Sequence, residues 1–324
     1  MTDRDTKKGT DRRAEADGPL VVIVGPTAVG KTAVSLHLAQ ALEGEVVSAD
    51  SRLLYRGMDI GTAKPTAEEQ ARVPHHMIDV AAPDETVGLA EFQEGAYAAV
   101  AEVHRRRRLP LLVGGTGQYV RAVVQGWRIP RVPPHPELRA ELEAQAEQEG
   151  TEHLHARLAR LDPAAAARID HRNVRRVVRA LEVCLVTGRP ISEQQGRRPP
   201  PYRVLQIGLT RERAALYARA DRRAEAMIDA GLEDEVRGLL DAGYGWDVPA
   251  MSGLGYLQFR PYFAGRATLE EVLEEIKRAT HRFIRHQYNW FRLGDPAIRW
   301  FDAATTGPQE IEEVVRRWLR AERP

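Results

Sequence analysis

The fold turns on residues 19–32, PLVVIVGPTAVGKT. An apolar run at residues 20–24 reads as a buried strand, and the segment from Lys31 to Leu42 as a helix, with Val34, Leu38 and Leu42 at helical spacing. Between them lies the pattern G-x-x-x-x-G-K-[ST], with Gly25, Gly30, Lys31 and Thr32 in its defining places. Gly25, Pro26, Thr27, Ala28, Val29, Gly30, Lys31 and Thr32 are therefore the candidate cradle for a polyphosphate. The backbone N–H groups and the positive end of the helix attract the anion, Lys31 adds a point charge, and the Thr32 hydroxyl is a candidate magnesium ligand. An ordinary glycine turn is the alternative, but all four defining residues between a strand and a helix speak against it.

Outward from this loop the pattern repeats. GEVVSADS (residues 44–51) reads as a second strand ending on Asp50, residues 88–108 as a helix, and LPLLVGGTG (residues 109–117) as a third buried strand with a glycine turn. Strand, helix, strand at this spacing predicts an α/β fold, a parallel sheet flanked by helices, with ligands at the carboxyl ends of the strands. The pattern then changes. RIPRVPPHP is a proline-rich linker, residues 136 to about 187 read as wholly helical, and GRRPPPYR is a second linker. The expected organisation is a polar tail at 1–18, a core formed by 19–130 and 202–324, and a helical insertion at 131–201. YRVLQIGL returns as a strand, with long helices expected after it.

Composition narrows the class. No apolar run is long enough to span a bilayer, and a lone Cys184 excludes an internal disulfide and a cysteine-clustered zinc site. The expected setting is the cytoplasm, with the chain acting as a monomer and without a membrane. A net charge of +1 hides a local excess: from residue 157 to 203 there are eleven Arg against Asp162, Asp170, Glu182 and Glu193.

An ATPase or kinase also needs an acid at the end of a neighbouring strand to hold magnesium. In PLLVGGTG that place carries glycines and Thr116, and the strand-end acid in this half is Asp50. By itself Asp50 is equally a turn residue. A small-molecule or nucleotide kinase with an arginine-rich lid thus remains an alternative at this point.

Four strings occur here in order and at close spacing: GPTAVGKT, SADSRLLYRGMDIGTAKP, VPHHMID and LLVGGTGQY. With RNVRRVVRALEV and THRFIRHQYNWFR further on, the chain resembles the tRNA dimethylallyltransferases, or tRNA isopentenyltransferases, from about Gly25 to Arg292. The resemblance implies a fold similar to phosphate-loop kinases with a helical insertion. It implies transfer of a dimethylallyl group from dimethylallyl diphosphate to the exocyclic amine of an adenosine beside the anticodon of tRNA. The loop then holds the leaving diphosphate with Mg2+, and donors aimed at the growing charge stabilise the transition state. Carried over by motif, Asp50 is the general base and Thr116 the residue that positions the amine. Arg223 falls near the diphosphate, and Ser51, Arg52, Leu53 and Arg139 contact tRNA.

The basic segments complete this expectation. Arg172, Arg175, Arg176 and Arg179 fall at three-to-four spacing on one helix face, and Arg278, Arg282, Arg285 and Arg292 form a second stripe with His281. Both are expected to bind tRNA phosphates, whereas Trp290 and Phe291 read as core. THRFIRHQ carries His281 and His286 where the family commonly has arginine, Leu257 stands where it has a cation, and Gln118 where it has leucine.

Overall fold

The computed structural model describes residues 18–321. All but Gly18 of the segment read as a polar tail lies outside the described residues. The described chain divides into two compact units. The second comprises Gly88–Ala90 and Gln125–Pro199, and the first is the remainder.

The first unit is built on six parallel strands: β1 Pro19–Val24, β2 Gly44–Ser48, β3 His75–His76, β4 Leu109–Gly114, β5 Arg203–Thr210 and β6 Ile298–Asp302. Their spatial order is β3-β2-β4-β1-β5-β6. Leu20, Val21, Val22, Ile23 and Val24 are wholly buried, as a strand covered on both faces requires. At roughly 1.5–3 kcal/mol per buried aliphatic side chain, burial of this strand contributes strongly to holding the sheet together. Helix α1, Lys31–Ala41, packs Val34, Leu38 and Ala39 into the same core as Val21 and Ile23. Further helices are α2 Leu89–Arg105, α3 Gly117–Gln125, α4 Arg213–Asp229, α5 Leu269–Trp290 and α6 Pro308–Arg320.

Because β4 lies between β2 and β1, the turns that follow these three strands emerge side by side at the carboxyl edge. Val24 pairs with Gly114 and Ser48 with Val113, so Gly25, Ala49 and Gly115 begin neighbouring turns. The topology places the phosphate loop, the Asp50 turn and the Thr116 turn together.

Several expectations need correction. β2 stops at Ser48, so Asp50 lies in the turn beyond it and does not end the strand. β6 lies in the C-terminal region expected to consist of long helices. It is a short edge strand, IRWFD, whose charged residues and length conceal it from a periodicity search. The segment expected to be helical throughout from 136 to 187 is instead Pro136–Glu149, Thr151–Leu161, Pro163–Ala166 and Val174–Thr187. The breaks fall at Gly150, at Asp162, whose carboxylate caps Ala165 N–H (2.9 Å), and at the turn ending in Asn173. The core of this second unit gathers Leu142, Leu154, Leu158, Val177, Leu181 and Cys184.

Candidate active site

Gly25 and Gly30 take φ values of 148° and 116°, a region open to glycine, and a Cβ on Gly25 would lie 2.5 Å from Leu209 O. The intervening loop turns through Ala28 at φ 61°. Lys31 Nζ donates to Gly25 O (3.0 Å) and Pro26 O (2.9 Å), folding its ammonium over the loop. Burial pushes that ammonium down to about 8, with Asp50 opposing the change and Arg223 adding to it. The Thr32 hydroxyl is exposed and makes no hydrogen bond among the described residues.

Two arginines from α4 close the same region. Arg219 Nε donates to Ala28 O (3.0 Å), and Arg223, four residues on, donates from Nη2 to Thr62 O (3.4 Å). Burial, and then Arg219, lower the Arg223 pKa, while Asp50 raises it. Lys31, Arg219 and Arg223 thus crowd positive charge around the loop, and Asp50 is the carboxylate acting on both Lys31 and Arg223. Such a cluster is unfavourable when empty and favourable around a polyanion. Arg219 was missed from sequence, because it reaches the loop across 191 residues.

The Asp50 turn is tied to the Thr116 turn. Asp50 Oδ1 accepts Arg52 N–H (3.0 Å), an Asx turn that leaves Oδ2 without a hydrogen bond among the described residues. Ser51 N–H donates to Thr116 Oγ1 (3.1 Å), and Thr116 N–H to Ala49 O (3.3 Å). Arg52 reaches Pro249 O (3.4 Å), while Leu53 O accepts Asp79 N–H. Gln287 of α5 is buried and contacts both the loop and the Thr116 turn: its Oε1 accepts Thr27 N–H (2.8 Å) and its Nε2 donates to Gly115 O (3.1 Å). It too escaped the sequence reading.

The long string after Asp50 is held by scaffold contacts that the sequence did not reveal. Glu235 accepts the N–H groups of Asp59 (2.8 Å), Ile60 (2.7 Å) and Gly61 (3.1 Å), and the Tyr256 hydroxyl (2.6 Å). Lys64 binds Tyr55 O and the carboxylates of Asp59 and Asp79.

The arginines expected to meet RNA fall into different settings. In the second unit, Arg139 Nε and Nη2 donate to the fully buried Glu182 (2.7 and 2.8 Å), and Arg179 binds the same carboxylate and Val132 O. Arg175 and Arg176 are exposed and have no ion-pair partner among the described residues. Arg172 is not on their helix, which begins at Val174 after the Asn173 cap; it pairs with Asp170 in the preceding turn. In the first unit Arg278 and Arg282 both bind Glu275, Arg285 donates to Tyr217 Oη (3.3 Å), and Arg292 lies beyond the end of α5. His281 stacks on Tyr217 and binds Asp221 (2.8 Å). Phe291 is core, whereas Trp290 is half-buried under the Arg121 guanidinium, 5.2 Å from its ring centroid.

Among the described residues no group of three or more His, Cys, Asp or Glu is placed to hold a metal ion. An exposed hydroxyl beside a candidate polyphosphate cradle nevertheless suits magnesium, which takes most of its ligands from water and phosphate oxygens. No helix among the described residues is long and apolar enough to cross a membrane.

Residues 53–294 match the IPP transferase family. The chain is 57% identical to the tRNA dimethylallyltransferase of Roseiflexus sp. (strain RS-1), over 94% of this chain and 99% of that one. It is 62% identical to the tRNA dimethylallyltransferase of Roseiflexus castenholzii, over 92% and 98%. Among solved structures, the tRNA isopentenylpyrophosphate transferase of Bacillus halodurans superposes with a TM-score of 0.69 at 43% identity, covering 93% of this chain and 96% of that one.

Proposed function

The chain belongs to the IPP transferase family, alongside the tRNA dimethylallyltransferases, and we propose that it moves a dimethylallyl group from dimethylallyl diphosphate to the exocyclic amine of an adenosine beside the tRNA anticodon. The observation that carries this reading is the company of the phosphate loop. Lys31, Arg219 and Arg223 gather around it, while β4 ends at Gly114 and runs on into Gly115 and Thr116, without the carboxylate a phosphoryl transferase uses.

In this reading the loop amides, Lys31 and Arg223 hold the diphosphate as its allylic carbon–oxygen bond breaks, and the charge growing on it meets donors already in place. A magnesium ion held through the Thr32 hydroxyl would supply further neutralisation of that charge. Thr116 Oγ1 orients the attacking amine, and the Asp50 carboxylate takes its proton. Ser51, Arg52 and Leu53 line the turn that meets the nucleotide. Arg175 and Arg176 supply phosphate contacts, with Arg139 and Arg179 beside them on Glu182, and Arg282 and Arg285 add a second basic stripe. The adenine must leave its stack to be reached. The setting is the cytoplasm and the chain acts as a monomer; the residues that hold the diphosphate and act on the amine all lie in the first unit.

Incubation with dimethylallyl diphosphate labelled in the prenyl group, γ-labelled ATP and bulk tRNA tests this. Prenyl label should appear in tRNA, with diphosphate released. Transfer of the γ-phosphate to any acceptor, with no prenyl label in tRNA, would replace the reading by a kinase.

A further inference from the structure

The phosphate loop and the Thr116 turn belong to different strands, and prenyl transfer requires the leaving group and the attacking amine to be held at a fixed separation. We infer that Gln287 is a positioning residue that sets this separation, by tying the two turns together through one side-chain amide; the inference rests on the prenyl-transfer reading above.

The chemistry of the contact is specific. Thr27 presents an N–H and Gly115 a carbonyl, so the group between them must accept at one end and donate at the other. A carboxamide does both, a carboxylate only accepts, and a thioether provides neither function at useful strength. The two partners also dictate which way the amide faces. Gln287 is 3% exposed, so either half left unmatched would be a buried polar group without a partner. Its backbone is held by α5, which buries Ile284 one turn earlier and Phe291 just past its end.

The fit is close on the Thr116 side. A Cβ on Gly115 would stand 2.3 Å from Gln287 Nε2, so a side chain there would expel the amide. The bond to Gly115 O adjoins Thr116, whose hydroxyl accepts Ser51 N–H next to Asp50. One chain of contacts thus runs from Thr27 through Gln287 and the Gly115–Thr116 backbone to the Asp50 turn. Thr27 N–H is spent on Gln287, so it is not among the donors left for phosphate.

Gln287→Met keeps the volume and removes both hydrogen bonds. Gln287→Glu keeps the Thr27 bond and sets an acceptor against Gly115 O. In single-turnover transfer with labelled donor, both should slow chemistry by roughly 10- to 100-fold, the scale of a misplacement of about 1 Å. Donor Kd should stay within about threefold, because the remaining loop amides and Lys31 are untouched. Thr116→Val should cost several-fold less in the Gln287→Met background than in the wild type, since both changes disturb the same arrangement. Hydrogen exchange in the ligand-free protein supplies a readout independent of activity: Gln287→Met should speed exchange at Ser51 N–H as well as at Thr27 N–H. An undiminished Thr116→Val factor, or faster exchange confined to Thr27, would overturn the tie. Failure of both variants to fold would make Gln287 a core residue and overturn it equally. A wild-type protein that moves no prenyl label would sink the parent reading, while the exchange result would still decide whether the two turns are coupled.

Discussion

Donor binding should weaken as pH rises through the titration of Lys31. In the ligand-free loop, burial holds its ammonium at about 8 against an ordinary 10.5, a gap corresponding to roughly 3 kcal/mol. A diphosphate brought against it favours the charged form, so the bound pKa exceeds the free one. Affinity is therefore full below about 8 and falls above it by up to about tenfold per pH unit, until the bound pKa is reached. Ligand-free stability should move the other way. Between about 8 and 10.5 the unfolded chain holds a proton that the folded chain has lost, so the titration of Lys31 favours folding as pH rises. The assay is calorimetric titration with dimethylallyl diphosphate, without tRNA, from about pH 8 to 9.5, well above the last ionisation of a phosphate ester at about 6. Repeating it in buffers of different ionisation enthalpy reads the proton taken up on binding. Lys31→Met should bind weakly and without this slope. A flat wild-type profile, or the same slope in Lys31→Met, would refute the assignment of this lysine to the anion.

Four further outcomes follow from the same geometry. Asp50→Ala should reduce single-turnover transfer by roughly two to four orders of magnitude with donor affinity retained; near-normal turnover in Asp50→Asn, which keeps the Asx turn to Arg52, would end the general-base role. Replacing Arg175 and Arg176 with Ala should lower the log–log salt slope of tRNA binding by roughly one per lost contact; an unchanged slope would leave them as a solvated face. Burial alone would raise Glu182, but Arg139, His135 N–H and Arg179 overcome it and bring it to about 2. Its stabilising contribution is whole above about 4.5 and lost as pH falls towards 2, so the melting difference between wild type and Glu182→Gln should shrink in acid. Glu235→Ala, which strips the partners of three backbone N–H groups and Tyr256 Oη, should cost roughly 3 kcal/mol in urea unfolding.

The legible parts of this protein were those encoded by residues close together in the chain. The phosphate loop is eight consecutive residues between a strand and a helix, so spacing alone announces it. The neighbouring placement of the candidates Asp50 and Thr116 was legible for the same reason: each sits just past a recognisable strand, within a string shared with the family. The β6 strand was not, because a five-residue edge segment bearing Arg and Asp carries too little periodicity to separate it from a loop.

Charge in the sequence was a poorer guide than its spacing suggested. Arg175, Arg176 and Arg179 look equivalent along the chain, yet Arg179 turns to Glu182 and the other two face water. That difference follows from which side of the Val174–Thr187 helix meets the Pro136–Glu149 helix, since a buried carboxylate must be paired. The sequence by itself therefore determined the loop, the parallel α/β architecture and the family. Tertiary structure alone decided that Arg219 guards Ala28, that Glu235 holds the turn at Asp59–Gly61, and that Gln287 joins Thr27 to Gly115. These partners lie 172 to 260 residues apart, and hydrogen-bonding groups meet across such distances only after the sheet and α5 have brought them together.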